Sequence, residues 1–199
     1  YWWEWTDDFF EYSVLPKDSL KLKILIETIG DKSEKENIFS TAPDPKNSIT
    51  IAIKRYKNAL FKSDTYEEKI SNLISSMEAL LSIESTELTH RLSQRVAILL
   101  SHYRIDVYST YTDVKKAYDV RSKYSHGEFI NPEKERYKDL HILNDRIADY
   151  TRICILISAQ LIGVKSKVEI IRMLDDAMID KSKHKEVLQL LKKNCDLFK

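Results

Sequence analysis

Apolar residues recur at intervals of three and four over most of the chain. Ile70, Leu73, Ile74, Met77, Leu80 and Leu81 make the clearest stripe, the spacing of one buried helix face. It predicts a helix capped by Asp64 or Thr65 and running through Leu81, preceded by one capped by Ser48 and ending near Lys62. A third helix, from about Ser85 to Tyr103, buries Leu88, Leu92, Val96, Leu99 and Leu100, and leaves His90, Arg91 and Arg95 off that stripe. A fourth spans about Thr110 to His126, and Gly127 supplies its stop. Pro132 then opens a fifth at a favoured first-turn position. This helix reaches Leu161 or Ile162, would be about 45 Å long, and is apolar nearly all round in its second half, at Ile147, Ile153, Ile155, Leu156, Ile157 and Leu161. That pattern predicts a central pillar of a bundle or part of a dimer seam.

Gly163 ends the pillar. Two shorter helices, about Lys165 to Asp180 and Ser182 to Asp196, dock through Met173, Leu174 and Met178 and through Leu188 and Leu191. Lys181, Lys183 and Lys185 read as a solvated turn. From Ser48 onward the chain holds one proline, Pro132, and two glycines, Gly127 and Gly163. So few breakers predict an all-α fold, a bundle of five to seven helices over 48–199. Residues 1–47 differ. Tyr1, Trp2, Trp3 and Trp5 cluster at the start, Leu20, Leu22, Ile24 and Ile26 alternate, and a polar stretch with Pro43 and Pro45 follows. Period two favours a strand over a short helix, so this part reads as an appendage, or the end of a preceding domain with its linker. The missing initiator methionine suggests a piece of a longer chain.

Composition narrows the class. The chain has 199 residues, 43% hydrophobic and 32% charged, enough apolar content for a core and too polar for a lipid-facing bundle. No run reaches the roughly 18 apolar residues of a membrane span, and the aromatic, acidic start is unlike a signal peptide. Cys154 and Cys195, the only cysteines, fit neither a disulfide framework nor a zinc cluster, and a reducing cytoplasm is the simplest compartment. Net charge is +1, so nothing global points to nucleic acid. Its distribution is uneven: residues 1–50 carry 6 basic and 10 acidic groups, and residues 51–199 carry 26 and 21. Lys115, Lys116, Arg121 and Lys123 gather on the fourth helix, where they can guide a phosphate backbone or form an ordinary solvated face.

Chemistry concentrates in Tyr118 to Glu128, Tyr-Asp-Val-Arg-Ser-Lys-Tyr-Ser-His-Gly-Glu. Tyr118, Ser122 and His126 form a ridge about 12 Å long. Arg121 stands beside it, about 140° and 7.5 Å from His126, a gap that a long guanidinium can close only by folding back. Together the two offer a fixed cation and an imidazole, the side chain whose ordinary titration falls near neutrality. Such a pair suits metal-free phosphodiester cleavage. The imidazole would take the 2′-hydroxyl proton or protonate the leaving oxygen, the guanidinium would steady charge on the phosphoryl oxygens, and Ser122 or Tyr118 would orient them. The structural alternative pairs Arg121 with a carboxylate on a neighbouring helix and leaves His126 capping its own helix. Glu78, beside the second helix's stripe, needs a cation, and Arg95 or Arg121 is the natural partner. No phosphate loop, zinc spacing or glycine-flanked serine is present.

Arg121, Ser122 and His126, with Tyr118 and Gly127 around them, resemble the signature of the HEPN superfamily, and its ApeA-like branch in particular. Met77 to Leu81 and Arg95 to Leu100 are similar to the helices preceding the motif there, so the likeness covers about Ile51 to Gly163. It implies a helical bundle that pairs as a two-fold homodimer with the motif at the cleft. The implied activity is metal-independent cleavage of single-stranded or loop RNA, without cofactor, in a toxin-antitoxin or antiviral defence setting where an antitoxin or a nucleotidyltransferase serves as partner. By the resemblance Arg121 and His126 would be catalytic, Ser122 their polar neighbour and Glu78 a supporting carboxylate; geometry and charge add Tyr118 and Arg95 as supporting groups and Lys115, Lys116 and Lys123 as RNA contacts. Some members have lost activity and serve as binding modules, the alternative reading for this chain.

Overall fold

The computed structural model describes residues 47–83, 88–131, 133–134, 137–161 and 163–195. Among them are seven helices and no strand: α1 (Ser48–Phe61), α2 (Tyr66–Leu81), α3 (Leu88–Ser101), α4 (Val107–Ser125), α5 (Leu140–Leu161), α6 (Lys167–Ile179) and α7 (Lys181–Asn194). This is the expected all-α bundle. The expectations for residues 1–46, and those resting on Ser85, Pro132, Ile162 and Asp196, lie outside the described residues.

Local chemistry sets the helix starts. Asn47, not Ser48, caps α1: its Oδ1 accepts the Ile49 N–H at 2.9 Å and the Thr50 N–H at 3.5 Å. Thr65 caps α2 through the Glu68 N–H at 3.3 Å. Asp106 caps α4, which therefore begins three residues before the expected Thr110. Ser166 and Glu169 form a reciprocal capping box at the start of α6. Asp180 both ends α6 and caps α7, so these helices share a one-residue joint. Lys181, Lys183 and Lys185, expected in a turn, lie in the first turns of α7 instead.

The stripe expected on α2 is buried throughout, with Ile70, Leu73, Ile74, Met77 and Leu81 at 1% exposure or less. Each such side chain contributes on the order of 1.5–3 kcal/mol of transfer free energy. α2 packs against α1, α4 and α5, and the Ser76 hydroxyl donates to the Ala52 carbonyl at 2.8 Å to join α1 and α2. α5 touches α1, α2, α3, α4 and α7, the place of a central pillar. It is shorter than expected: 22 residues, about 33 Å.

One expectation for α3 is overturned. Arg95 does not lie off the buried stripe; its side chain is fully buried. Its Nε and Nη2 each donate to one carboxylate oxygen of Asp175 at 2.7 Å, and its Nη1 donates to the Leu81 carbonyl at 2.8 Å. A two-pronged bond from α3 to α6 satisfies a charge that would otherwise be excluded from the core.

Candidate active site

α4 carries the motif on a helix held against α2, α3 and α5. Val114, Ala117 and Val120 are fully buried and Tyr118 is 8% exposed, which turns the opposite side of the helix outward. Arg121 crosses to α2, where its Nη2 donates to Glu78 Oε2 at 3.1 Å. Its guanidinium carbon also sits 5.4 Å from the centre of the Tyr118 ring one turn earlier, within cation–π range. Glu78 thus takes Arg121 as its cation, and Arg95 is committed elsewhere.

The cluster is only partly sealed. The Arg121 side chain is 30% exposed and that of Glu78 16%. Glu78 Oε1 and Arg121 Nε are buried and without a hydrogen-bond partner, so the contact is single-pronged. Burial, then the negative charge of Glu78, pushes the Tyr118 hydroxyl up to about 12, and Arg121 opposes this. Tyr118 is therefore a neutral hydroxyl over the ordinary pH range.

His126 occupies the C-cap of α4 and is exposed. Its N–H bonds to the Ser122 and Lys123 carbonyls at 3.1 and 3.2 Å. Beyond it, Gly127 donates to the Tyr124 carbonyl at 3.1 Å and Glu128 to the Lys123 carbonyl at 2.9 Å. Gly127 has φ +68°, so the helix closes in a Schellman motif. Among the described residues neither the His126 imidazole nor the Ser122 hydroxyl has a hydrogen-bond or ion-pair partner. No bond joins Arg121 to His126: the guanidinium is held toward α2 and the imidazole stands at the helix end.

The lysines expected to meet RNA differ. Lys115 is exposed, its Nζ 5.8 Å from the centre of the Tyr111 ring, and Lys116 is half-buried. Lys123 is engaged: its Nζ donates to the Tyr137 hydroxyl at 2.6 Å and lies 3.7 Å from Asp119 Oδ2. The Tyr137 hydroxyl donates in turn to Asp119 at 2.6 Å. The bond to Tyr137, ahead of the charge of Asp119, raises the Lys123 ammonium above its ordinary value. Tyr137 is 3% exposed and precedes α5, so it fastens the segment after His126 to the motif helix. Sequence reading missed Tyr137; the only local signal was the Asp119–Lys123 pair four residues apart.

The other histidines singled out in the sequence have aromatic neighbours. His90 Nδ1 is 3.1 Å from the Tyr111 hydroxyl, and His102 packs edge-on against Tyr103. Cys154 and Cys195 are buried free thiols. Among the described residues no three His, Cys, Asp or Glu side chains are grouped to hold a metal ion, and no helix is long and apolar enough to cross a membrane. Compared with protein-family models, with curated proteins and with solved structures, the chain matches none.

Proposed function

We propose that this protein is a metal-independent endoribonuclease of the HEPN type, acting on single-stranded or loop RNA. The observation that carries the reading is a partly exposed guanidinium, held by Tyr118 and Glu78, with an unpartnered, exposed imidazole five residues later at the C-cap of the same helix. In this reading the outer edge of Arg121 binds the scissile phosphate. His126 takes the proton from the 2′-hydroxyl, whose oxygen attacks phosphorus, and a second copy's imidazole protonates the departing 5′-oxygen. The two-fold homodimer brings both motifs to one cleft. A toxin or phage-defence role, with an antitoxin or a nucleotidyltransferase as partner, follows from the family resemblance alone, and a cytoplasmic setting from the cysteine usage.

The test is incubation of purified protein with unstructured RNA in chelator, wild type against His126→Ala. Cleavage by the wild type alone supports the reading, and equal cleavage or none by both removes it. A second reading is favoured by the engagement of Arg121 with Glu78 inside the chain and by a net charge of only +1: a non-catalytic RNA- or protein-binding module that dimerises through the motif. It predicts that Arg121→Ala loosens the dimer in sedimentation while no RNA is cut by either protein.

A further inference from the structure

The outward face of α4 does not end at the motif. At 100° per residue Tyr108, Tyr111, Lys115, Ser122 and His126 fall within about 60° of one another, on a stripe about 27 Å long. Its far end opens into a groove of about 540 Å³ between the start of α4 and helices α3, α6 and α7. Ala97, Ile98 and Ala177 give this groove an apolar floor, and Tyr108 and Tyr111 stand along one wall. Tyr108 is 76% exposed, a large ring left facing water.

Polar groups in the groove are available. Gln94 and His184 line it, and neither side chain has a hydrogen-bond partner among the described residues. Its one carboxylate, Asp106, is already used, accepting the Ser109 N–H at 2.8 Å to cap α4. Lys115 lies over the Tyr111 ring on the motif side. Two aromatic rings with a cation beside them, on the face that leads to the motif, offer a surface for stacking a base and meeting a backbone phosphate. A primary amide adds both a donor and an acceptor for a base edge.

We propose that this groove takes an unpaired base of a single-stranded RNA whose backbone runs along α4 toward His126. The proposal rests on RNA being the ligand, as read above, and adds a subsite at Tyr108 several nucleotides from the motif. Duplex RNA hides its base faces and gains nothing from the groove.

A 2′-O-methyl single strand long enough to span the stripe cannot be cleaved through its 2′ position, so its binding is measured by fluorescence anisotropy apart from any cleavage. Tyr108→Ala, at an exposed position that leaves the core intact, is expected to weaken binding about tenfold. Tyr108→Trp should restore it, and Lys115→Ala should weaken it and flatten its salt dependence. Equal affinity of wild type and Tyr108→Ala, or no saturable binding by the wild type, overturns the subsite. Cleavage of the unmodified strand is scored separately with His126→Ala. Tyr108-dependent binding without cleavage removes the nuclease and keeps the groove; His126-dependent cleavage without any effect of Tyr108 does the reverse.

Discussion

Arg121 Nη2 lies 3.1 Å from Glu78 Oε2 although 43 positions separate the two residues. The bond ties the motif helix to α2 and fixes one edge of the guanidinium. Arg121→Ala leaves Glu78, 16% exposed, without its cation, and is expected to cost about 1–2 kcal/mol, less than a fully buried pair because water reaches both groups. Adding Glu78→Gln should recover much of that loss. Urea denaturation of the two single variants and the double variant measures the coupling.

Arg95 is the larger structural liability. Its guanidinium is fully buried and spends three donors on Asp175 and Leu81. Asp175→Ala takes the two-pronged carboxylate away from that buried charge and should cost about 3–5 kcal/mol. Arg95→Lys should also destabilise, because an ammonium cannot reproduce the two-pronged bond. Chemical denaturation followed by circular dichroism reads both.

Gly127→Ala tests the helix stop beside His126. An added Cβ meets nothing within 4 Å, so the cost is conformational, set by φ +68°, and should be about 1 kcal/mol. Faster amide exchange at residues 126–128 than in the wild type is the local signature.

The capping box of α6 makes stability depend on acid. Hydrogen bonds from Ser166, and Lys165 beside it, lower the Glu169 carboxyl from 4.5 to about 2. A depressed carboxylate contributes stability above its unfolded value, and that contribution is lost as pH falls through the folded value. The melting temperature of the wild type should therefore fall between pH 4.5 and about 2 more steeply than that of Glu169→Ala.

Cys154 should be inert in the native state, since burial pushes its thiol up to about 12. Cys195 is buried as well. Thiol labelling at pH 8 should stay near zero in native protein and reach two groups per chain in denaturant.

The sequence pattern read the fold well where a single face decided it. The stripe from Ile70 to Leu81 is local, and local periodicity needs no knowledge of neighbours. Arg95 was misplaced for the opposite reason. A guanidinium reads as solvent-facing until a carboxylate 80 positions later is known to reach it. The same limit hid Tyr137, whose partners lie on another element, and left open whether Arg121 turns to Glu78 or to His126. Helix starts slipped where two capping residues stood side by side, as with Asn47 and Ser48.

The closure of α4 has an electrostatic consequence. A bare helix C-terminus displays carbonyl oxygens and a partial negative charge that repels phosphate. Here the oxygens of Ser122, Lys123 and Tyr124 are occupied by the N–H groups of His126, Gly127 and Glu128. That tip is left with muted repulsion toward an anion, and the exposed imidazole of His126 stands beside it.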